Sequence, residues 1–283
     1  MHLEDVPAEG GLRFLYETPL GRLLQGAVCG WRGPSALLGW WQGRAWTRRR
    51  IGPFVRRFQI DTGEVELPPD QYPSFNAFFT RRLRPGARPF APEPEVLCAP
   101  ADGRALVFPS LDPSASLPIK GCLVAPPLLL AGKGQAAPFR AGAALVVRLA
   151  PADYHRFHFP AEAWAGPARR IRGRCHSVNP IALERRPALY QRNQRAVTLV
   201  NTEAFGRIAY VEVGALAVAS IVQTYVPGPV RRGQEKGFFQ FGGSSVVLLF
   251  EPQRVTFDAD LVGDSEEGLE VHVRAGSRIG VRC

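Results

Sequence analysis

The chain has 283 residues, of which 46% are hydrophobic and 21% are charged, and its formal net charge at pH 7 is +10. This composition excludes an intrinsically disordered chain, and the length favours one compact body with an appended segment. The five cysteines form no CxxC pair and are odd in number, so we expect a reducing compartment and no disulfide framework.

The N-terminal region combines arginine with tryptophan. Residues 21–58 hold eight arginines, no acidic residue and four of the five tryptophans. Apolar spacing predicts an amphipathic helix over Leu20–Trp31 and a second helix over Ser35–Trp46. Both helices could simply pack on a core, but arginine and tryptophan together favour contact with an anionic membrane surface. Nucleic acid is not an expected partner, because no zinc-finger spacing, RNP-like string or basic zipper is present.

The chain carries no sequence signal for crossing a membrane. Residues 1–11 lack the basic start and apolar core of a signal peptide, and no run reaches the roughly 18 apolar residues that a bilayer span needs. Any membrane contact is therefore expected to be peripheral.

After residue 60 the sequence changes from helical patterns to short apolar runs. Ser74 is a suitable N-cap for a helix in the stretch 75–83, which RPGARP ends at Pro85 and Gly86. From about Val96, runs such as AALVVRL and SVVLLF alternate with glycine and proline, which indicates many short strands. We predict an α+β fold, a mainly β body of short strands (61–283) preceded by membrane-facing helices (1–60).

Three short clusters contain residues that could carry chemistry. Asp102 precedes Gly103 at the start of an apolar run, His155 and His158 lie three apart in PADYHRFHFP, and Ser244 lies in FGGSS before the apolar stretch 245–250. Each cluster alone fits a structural role, and two histidines without a second ligand cluster predict no metal site. Together they supply an acid, a base and a hydroxyl nucleophile, but composition cannot bring them into contact.

The ordered set of motifs resembles the phosphatidylserine decarboxylases, a pyruvoyl-dependent family, over nearly the whole chain. The strongest stretch is RGQEKGFFQFGGSSVVLLF at residues 232–250. The other matching stretches are SFNAFFTRRLRPGARP (74–89), PADGR (100–104), IKG (119–121), APADYHRFHFP (150–160), SVNPIAL (177–183), NQRAVTLVNTEAFG (193–206) and YVEVGALAVASI (210–221).

The resemblance implies a precursor that cuts its own chain between Gly243 and Ser244. Ser244 then becomes the covalent pyruvoyl cofactor, and a large chain (1–243) and a small chain (244–283) stay associated. The resemblance also implies that His158 activates Ser244, that Asp102 orients His158 and stabilises its charge, and that His155 donates a proton during decarboxylation. Ser245 replaces the threonine that is commoner after the reactive serine.

The implied reaction converts phosphatidylserine to phosphatidylethanolamine and CO₂ through a Schiff base with the pyruvoyl group. The implied location is the cytoplasmic face of the cell membrane, as a peripheral protein on anionic lipid. Arg104, Lys120 and Arg156 are candidates for binding the phosphate, and a homodimer is one option for the oligomeric state. Two alternatives stay open: a processing-dead lipid-binding scaffold, and a decarboxylase for another seryl lipid or a free amino acid.

Overall fold

The computed structural model describes residues 9–21, 23–24, 33–111, 117–119, 122–124, 126–174, 193–214, 221–241 and 244–283. Most of the helix predicted over Leu20–Trp31 lies outside the described residues. So do Lys120 and Gly243, the residue on the N-terminal side of the predicted cleavage site.

Short helices precede a body of strands and also connect some of those strands. The described α-helices are α1 (Glu9–Glu17), α2 (Gly33–Gln42), α3 (Ile51–Phe58), α4 (Phe75–Phe79), α5 (Pro126–Leu129), α6 (Lys133–Ala136) and α7 (Ala259–Glu266). Short 3-10 helices cover Ala45–Arg50, Pro69–Gln71 and Ala137–Phe139. In the apolar run 122–132 a strand over Cys122–Val124 is followed by helix α5.

Helix α4 begins as predicted and ends early. The Ser74 hydroxyl accepts a hydrogen bond from the Ala77 N–H at 3.2 Å, which is the expected N-cap. The helix stops at Phe79, because the following residues pair in extended form with residues 64–66: the Glu66 N–H donates to Arg82, and the Arg84 N–H donates to Glu64. The chain therefore turns away from the helix axis before Leu83.

Seventeen described strands form the body. They are β1 (Val96–Cys98), β2 (Gly103–Phe108), β3 (Leu117–Ile119), β4 (Cys122–Val124), β5 (Ala144–Leu149), β6 (Arg156–His158), β7 (Ala163–Ala165), β8 (Arg169–Ile171), β9 (Arg195–Thr202), β10 (Gly206–Gly214), β11 (Ile221–Gln223), β12 (Gly228–Val230), β13 (Glu235–Phe239), β14 (Ser244–Phe250), β15 (Thr256–Phe257), β16 (Val271–Val273) and β17 (Arg278–Val281). All the pairings between them are antiparallel.

The main sheet has nine strands in the order β12-β7-β9-β10-β14-β5-β2-β16, with β8 also paired to β9. Three smaller sheets have the orders β11-β13-β6, β1-β17-β15 and β3-β4. The predicted α+β class with mainly β structure is confirmed. Among the described residues no helix is long and apolar enough to cross a bilayer.

Strand β14 lies in the middle of the main sheet and is buried along its whole length. Successive side chains of a strand point to opposite faces. Val246, Leu248 and Phe250 face a core that also contains Phe157 and Phe239 of the β11-β13-β6 sheet. Val247 and Leu249 face a second core, which α1 covers with Leu15 and Tyr16. By the same alternation Ser244 points towards the first core.

Among the described N-terminal residues, Thr47 and Ile51 belong to the packed body. Ile51 shares a third core with Phe75, Phe78 and Phe79, and the Thr47 hydroxyl accepts a hydrogen bond from the Phe75 N–H at 3.0 Å. The membrane-facing role predicted for residues 1–60 stays a prediction, but this segment also supports α4.

A fully buried ion pair joins β13 to β10. Lys236 donates to the carboxylate of Glu212 and, at 2.8 Å, to the side-chain oxygen of Gln223. The Lys236 ammonium also lies over the rings of Tyr210 and Tyr225, at 4.8 and 4.9 Å from their centroids. Burial in this apolar surrounding lowers the pKa of Lys236 and raises that of Glu212, so each charge depends on its partner.

We therefore predict that Lys236→Met destabilises the fold by about 3–5 kcal/mol, because it leaves the Glu212 carboxylate buried and unpaired. The double variant Lys236→Met/Glu212→Leu should recover most of that loss, since it removes both charges. Guanidinium unfolding of each variant measures the effect. Equal destabilisation by the single and the double variant would contradict the prediction.

Candidate active site

The predicted serine and aspartate lie at one edge of the main sheet, by which we mean the line along which its central strands begin and end, not an outer strand. Ser244 begins β14 and pairs with Gly214, which ends β10, and with Leu149, which ends β5. Asp102 immediately precedes β2, the next strand beyond β5. Because neighbouring strands lie about 4.8 Å apart, the Asp102 and Ser244 backbones are separated by about 10 Å along this edge.

His155 immediately precedes strand β6 and His158 is its last residue. This strand packs beside the chain segment that leads into Ser244. The backbone carbonyl of His155 accepts a hydrogen bond from the Phe239 N–H at 2.9 Å, five residues before Ser244. His158 ends β6, and its N–H donates to the carbonyl of Pro100 at 2.7 Å, beside Asp102. His155 is thus attached to the strand before the serine, and His158 to the segment that carries the aspartate.

Helix α4 holds Phe241, three residues before Ser244. The side-chain oxygen of Asn76 accepts a hydrogen bond from the Phe241 N–H at 3.1 Å. The Phe241 ring lies against Phe75 and Phe79, with centroid distances of 5.3 and 5.0 Å. Phe79 in turn lies 3.9 Å from the His155 ring. One short helix therefore positions both the segment that enters Ser244 and a histidine of the site.

Three reactive atoms at this edge are buried and have no hydrogen-bond partner. They are the Ser244 hydroxyl oxygen, Nε2 of His155 and Nε2 of His158. Ser244 and His155 are completely buried. Buried polar groups without partners are uncommon in folded proteins, and each one needs a reason. Here the unpartnered atoms belong to Ser244, His155 and His158, three of the site residues that the resemblance implied.

The environment of both histidines keeps the rings neutral. Burial lowers the pKa of His155 to about 4 and also lowers the pKa of His158. Nδ1 of His155 bonds to the carbonyl of Asp153 at 2.8 Å, and Nδ1 of His158 bonds to the carbonyl of Gly233 at 3.0 Å. A carbonyl can only accept, so in each neutral ring Nδ1 carries the proton and Nε2 presents a lone pair. Both Nε2 atoms are therefore suited to act as bases.

Asp102 has a different partner from the one predicted. Its carboxylate receives three hydrogen bonds from Arg88, the shortest at 2.6 Å, and one from the Ala275 N–H at 2.8 Å. Within the described chain it makes no hydrogen bond to His158, so the triad contact is not formed here. Its negative charge still acts to raise the pKa of His158. Stabilisation of the positive charge of protonated His158 therefore stays the predicted role of Asp102.

Three functional candidates were missed in the sequence: Asn76, Arg81 and Arg88. All three lie in the stretch 74–89, which carries part of the family resemblance, but a run of arginines ordinarily indicates a solvated surface. Only their burial and their partners distinguish them. The described residues contain no group of three or more histidine, cysteine or acidic side chains that could hold a metal ion.

Comparisons with known proteins identify similar chains. The family model described as phosphatidylserine decarboxylase matches residues 75–281. A "phosphatidylserine decarboxylase proenzyme" of Chlamydia muridarum is 44% identical over 280 residues, covering 99% of this chain and 93% of that protein. A protein of the same description from Desulfitobacterium hafniense is 38% identical over 281 residues, covering 99% of this chain and 94% of that protein.

The buried histidines predict a stability that falls in acid. Between pH 6.5 and about 4 the unfolded chain binds a proton at His155 that the folded chain excludes, so unfolding becomes easier as the pH falls through this range. We predict that His155→Gln makes the decline in unfolding free energy between pH 7.5 and 4.5 smaller by about 2–3 kcal/mol.

The matched control is His272→Gln. The Asp153 carboxylate, 3.6 Å from Nε2 of His272, raises the pKa of His272, so this histidine stabilises the fold below pH 6.5 and loses that effect as the pH rises. The control should therefore make the acid decline larger. Denaturant titrations at several pH values measure both slopes, and an unchanged slope for His155→Gln would contradict the prediction.

Proposed function

The chain belongs to the phosphatidylserine decarboxylase family, and we propose that it converts phosphatidylserine to phosphatidylethanolamine and CO₂ after cutting itself between Gly243 and Ser244. The observation that carries the proposal is the Ser244 hydroxyl, which is fully buried and unpartnered at the start of a rigid central strand. A hydroxyl in that state is free to react with the chain's own backbone.

In the first step, the Ser244 oxygen attacks the carbonyl carbon of Gly243 and the Gly243–Ser244 peptide bond breaks, which leaves an ester. Loss of the Ser244 Cα proton then expels the carboxylate of Gly243 and frees the chain 1–243. Water adds to the dehydroalanine left at position 244 and ammonia departs, so the small chain begins with a ketone. No external oxidant or reductant is needed for this sequence.

Two features support a pyruvoyl group at position 244. The Ser244 hydroxyl oxygen lacks a partner, and the backbone at this position is held between β10 and β5 by the pairing to Gly214 and Leu149. Such a group supplies an electron sink, which accepts the electron pair released when CO₂ leaves. The residues around it bind the substrate and move protons.

We assign the proton transfers to the two histidines. His158 takes the Ser244 hydroxyl proton through Nε2, with the charge of Asp102 stabilising the resulting imidazolium. His155 delivers a proton to the substrate carbon after CO₂ has left. Because Nε2 of neutral His155 carries no proton, the ring must first take one up, and its lowered pKa then makes it a strong donor.

The position of β14 supports continued association of the two chains after cleavage. Residues 244–250 pair with β10 on one side, and residues 244–249 pair with β5 on the other. Separation would expose both ladders and the buried side chains of the strand, so we propose that chains 1–243 and 244–283 remain one body.

The direct test is CO₂ release from carboxyl-labelled phosphatidylserine, with phosphatidylethanolamine identified as the lipid product. The wild-type protein should turn over this substrate, and Ser244→Ala should be inactive. Free serine and tryptophan serve as competing substrates. A protein that cleaves itself but releases CO₂ only from a free amino acid would overturn the assignment of substrate.

We further propose that the N-terminal helices hold the enzyme on anionic lipid. Among the described residues, seven of the thirteen exposed large apolar side chains lie between residues 14 and 46. Trp40 is 57% exposed, and the Arg44 guanidinium lies 3.8 Å from its ring centroid. A cation stacked on an exposed tryptophan suits the headgroup region of a bilayer, where the ring and the charge both find favourable contacts.

We predict that the double variant Leu37→Ser/Trp40→Ser binds vesicles containing phosphatidylserine at least about 10-fold more weakly, because it removes two exposed apolar side chains from this surface. Trp164→Ser on β7, where the tryptophan is 61% exposed, is the matched control and should bind normally. Vesicle sedimentation at two salt concentrations measures binding. Equal binding by wild type and the double variant would assign the membrane contact to another surface.

A further inference from the structure

Arg81 is a buried cation with unused hydrogen-bond donors beside the candidate active site. The residue is 4% exposed, and neither Nε nor Nη1 of its guanidinium has a partner. Among the described residues only Nη2 has hydrogen-bond partners, the carbonyls of Ala152 at 2.9 Å and Asp153 at 3.4 Å, and the guanidinium lies 5.1 Å from the centroid of the Phe78 ring. Three N–H donors of a positive group are therefore buried without an acceptor, which is costly unless an anion completes the site.

The position of Arg81 connects it to the reacting groups. The Asp153 carbonyl that accepts from Nη2 of Arg81 also accepts from Nδ1 of His155. Burial lowers the pKa of Arg81, and the charge of Asp102 acts in the opposite direction. The positive charge of Arg81 in turn acts, with burial, to lower the pKa of His155. An anion bound by Arg81 would therefore lie near His155, where the proposed function places the reacting substrate.

The neighbouring carboxylates of the chain already have other partners. Asp102 is bound by Arg88 and the Ala275 N–H. Glu235 accepts from Arg156 at 2.7 Å and from Thr224 at 2.9 Å. The carboxylate of Asp153 accepts from the Ala150 N–H at 2.6 Å and lies 3.6 Å from His272.

Arg156, a phosphate-binding candidate from the sequence, is occupied in the same way. Besides Glu235, its guanidinium donates to the carbonyls of Thr80 and Arg81. It is thus part of the framework that holds the Arg81 backbone. Its donors are used within the fold, whereas Nε and Nη1 of Arg81 have no acceptor.

We propose that Arg81 binds the phosphodiester of the phosphatidylserine headgroup. The proposal rests on the function proposed above. Arginine is a preferred residue for binding phosphate, and here Nε–H and the two N–H groups of Nη1, which point to different sides of the guanidinium, are free to donate to phosphate oxygens.

The substrate carries a second anionic group, the carboxylate, but it is a poor ligand for this cation. The carboxylate loses its charge as CO₂ leaves, so a cation beside it would stabilise the ground state more than the transition state and slow the reaction. The phosphodiester keeps its charge throughout. Binding it contributes equally to both states, which lowers KM without opposing the chemical step.

The test compares Arg81→Gln, Arg81→Lys and the control Arg82→Gln, which removes the same charge from the exposed neighbouring residue. Each protein is first allowed to cleave itself, and the cleaved form is isolated. KM and kcat are measured with phosphatidylserine in mixed detergent micelles. Calorimetry then measures the Kd of dihexanoyl phosphatidylethanolamine, which retains the phosphodiester and lacks the carboxylate.

We expect Arg81→Gln to raise KM and the phosphatidylethanolamine Kd together, by at least about 30-fold, with a much smaller change in kcat. Arg81→Lys should lie between Arg81→Gln and wild type, and Arg82→Gln should match wild type. Unchanged KM and Kd in Arg81→Gln would overturn the proposal. A raised KM with an unchanged Kd would assign Arg81 to the carboxylate instead.

Two further outcomes separate this proposal from the proposed function. If Arg81→Gln and Arg81→Lys both fail to cleave while Arg82→Gln cleaves, Arg81 acts in processing, and the binding role is rejected. If wild type binds phosphatidylethanolamine in an Arg81-dependent way but does not release CO₂ from phosphatidylserine, the decarboxylase assignment fails and the phosphodiester site stands.

Discussion

The pairing of β14 between β10 and β5 is the interaction on which the rest of the site depends. It buries a seven-residue strand on both faces and fixes its first residue, Ser244, at the edge of the main sheet. The pairing of β2 with β5 then brings the start of β2, and with it Asp102, to that edge. Because β14 is paired on both sides, it can stay in the sheet after cleavage has made Ser244 the first residue of a new chain. Self-cleavage at its first residue is thus compatible with a stable product.

Around this strand a few buried polar atoms have no hydrogen-bond partner, whereas the nearby carboxylates are paired with cations. Asp102, Glu235 and Glu212 all have close cationic partners, whereas the Ser244 hydroxyl, the two histidine Nε2 atoms and part of Arg81 have none. A fold stabilised only by packing would remove such groups or pair them. Their concentration at one edge fits a site where a nucleophile, a general base, a proton donor and an anion-binding cation act in succession on the chain and then on a lipid.

The sequence predicted the strands and the main residues of the site, but not the contacts that hold those residues in place. Apolar runs indicated β5 and β14 correctly, and Ser74 marked the start of α4, because strand burial and helix capping depend on neighbours along the chain. The contact of Arg88 with Asp102 and that of Asn76 with Phe241 join residues 14 and 165 positions apart. No local pattern encodes such contacts. The predicted contact between Asp102 and His158 is absent for the same reason, since no local pattern indicated that Arg88 would bind the Asp102 carboxylate.

The most direct test of the account is the intact mass of the purified protein after long incubation, beside that of Ser244→Ala. The account predicts two chains from wild type, 1–243 and 244–283, which elute together under native conditions. The small chain should be lighter than its sequence mass with serine first, as expected when a ketone replaces the serine hydroxyl and amine. Ser244→Ala should remain one chain. A single full-length wild-type chain, unchanged like the variant, would contradict self-cleavage at Ser244 and with it the proposed cofactor.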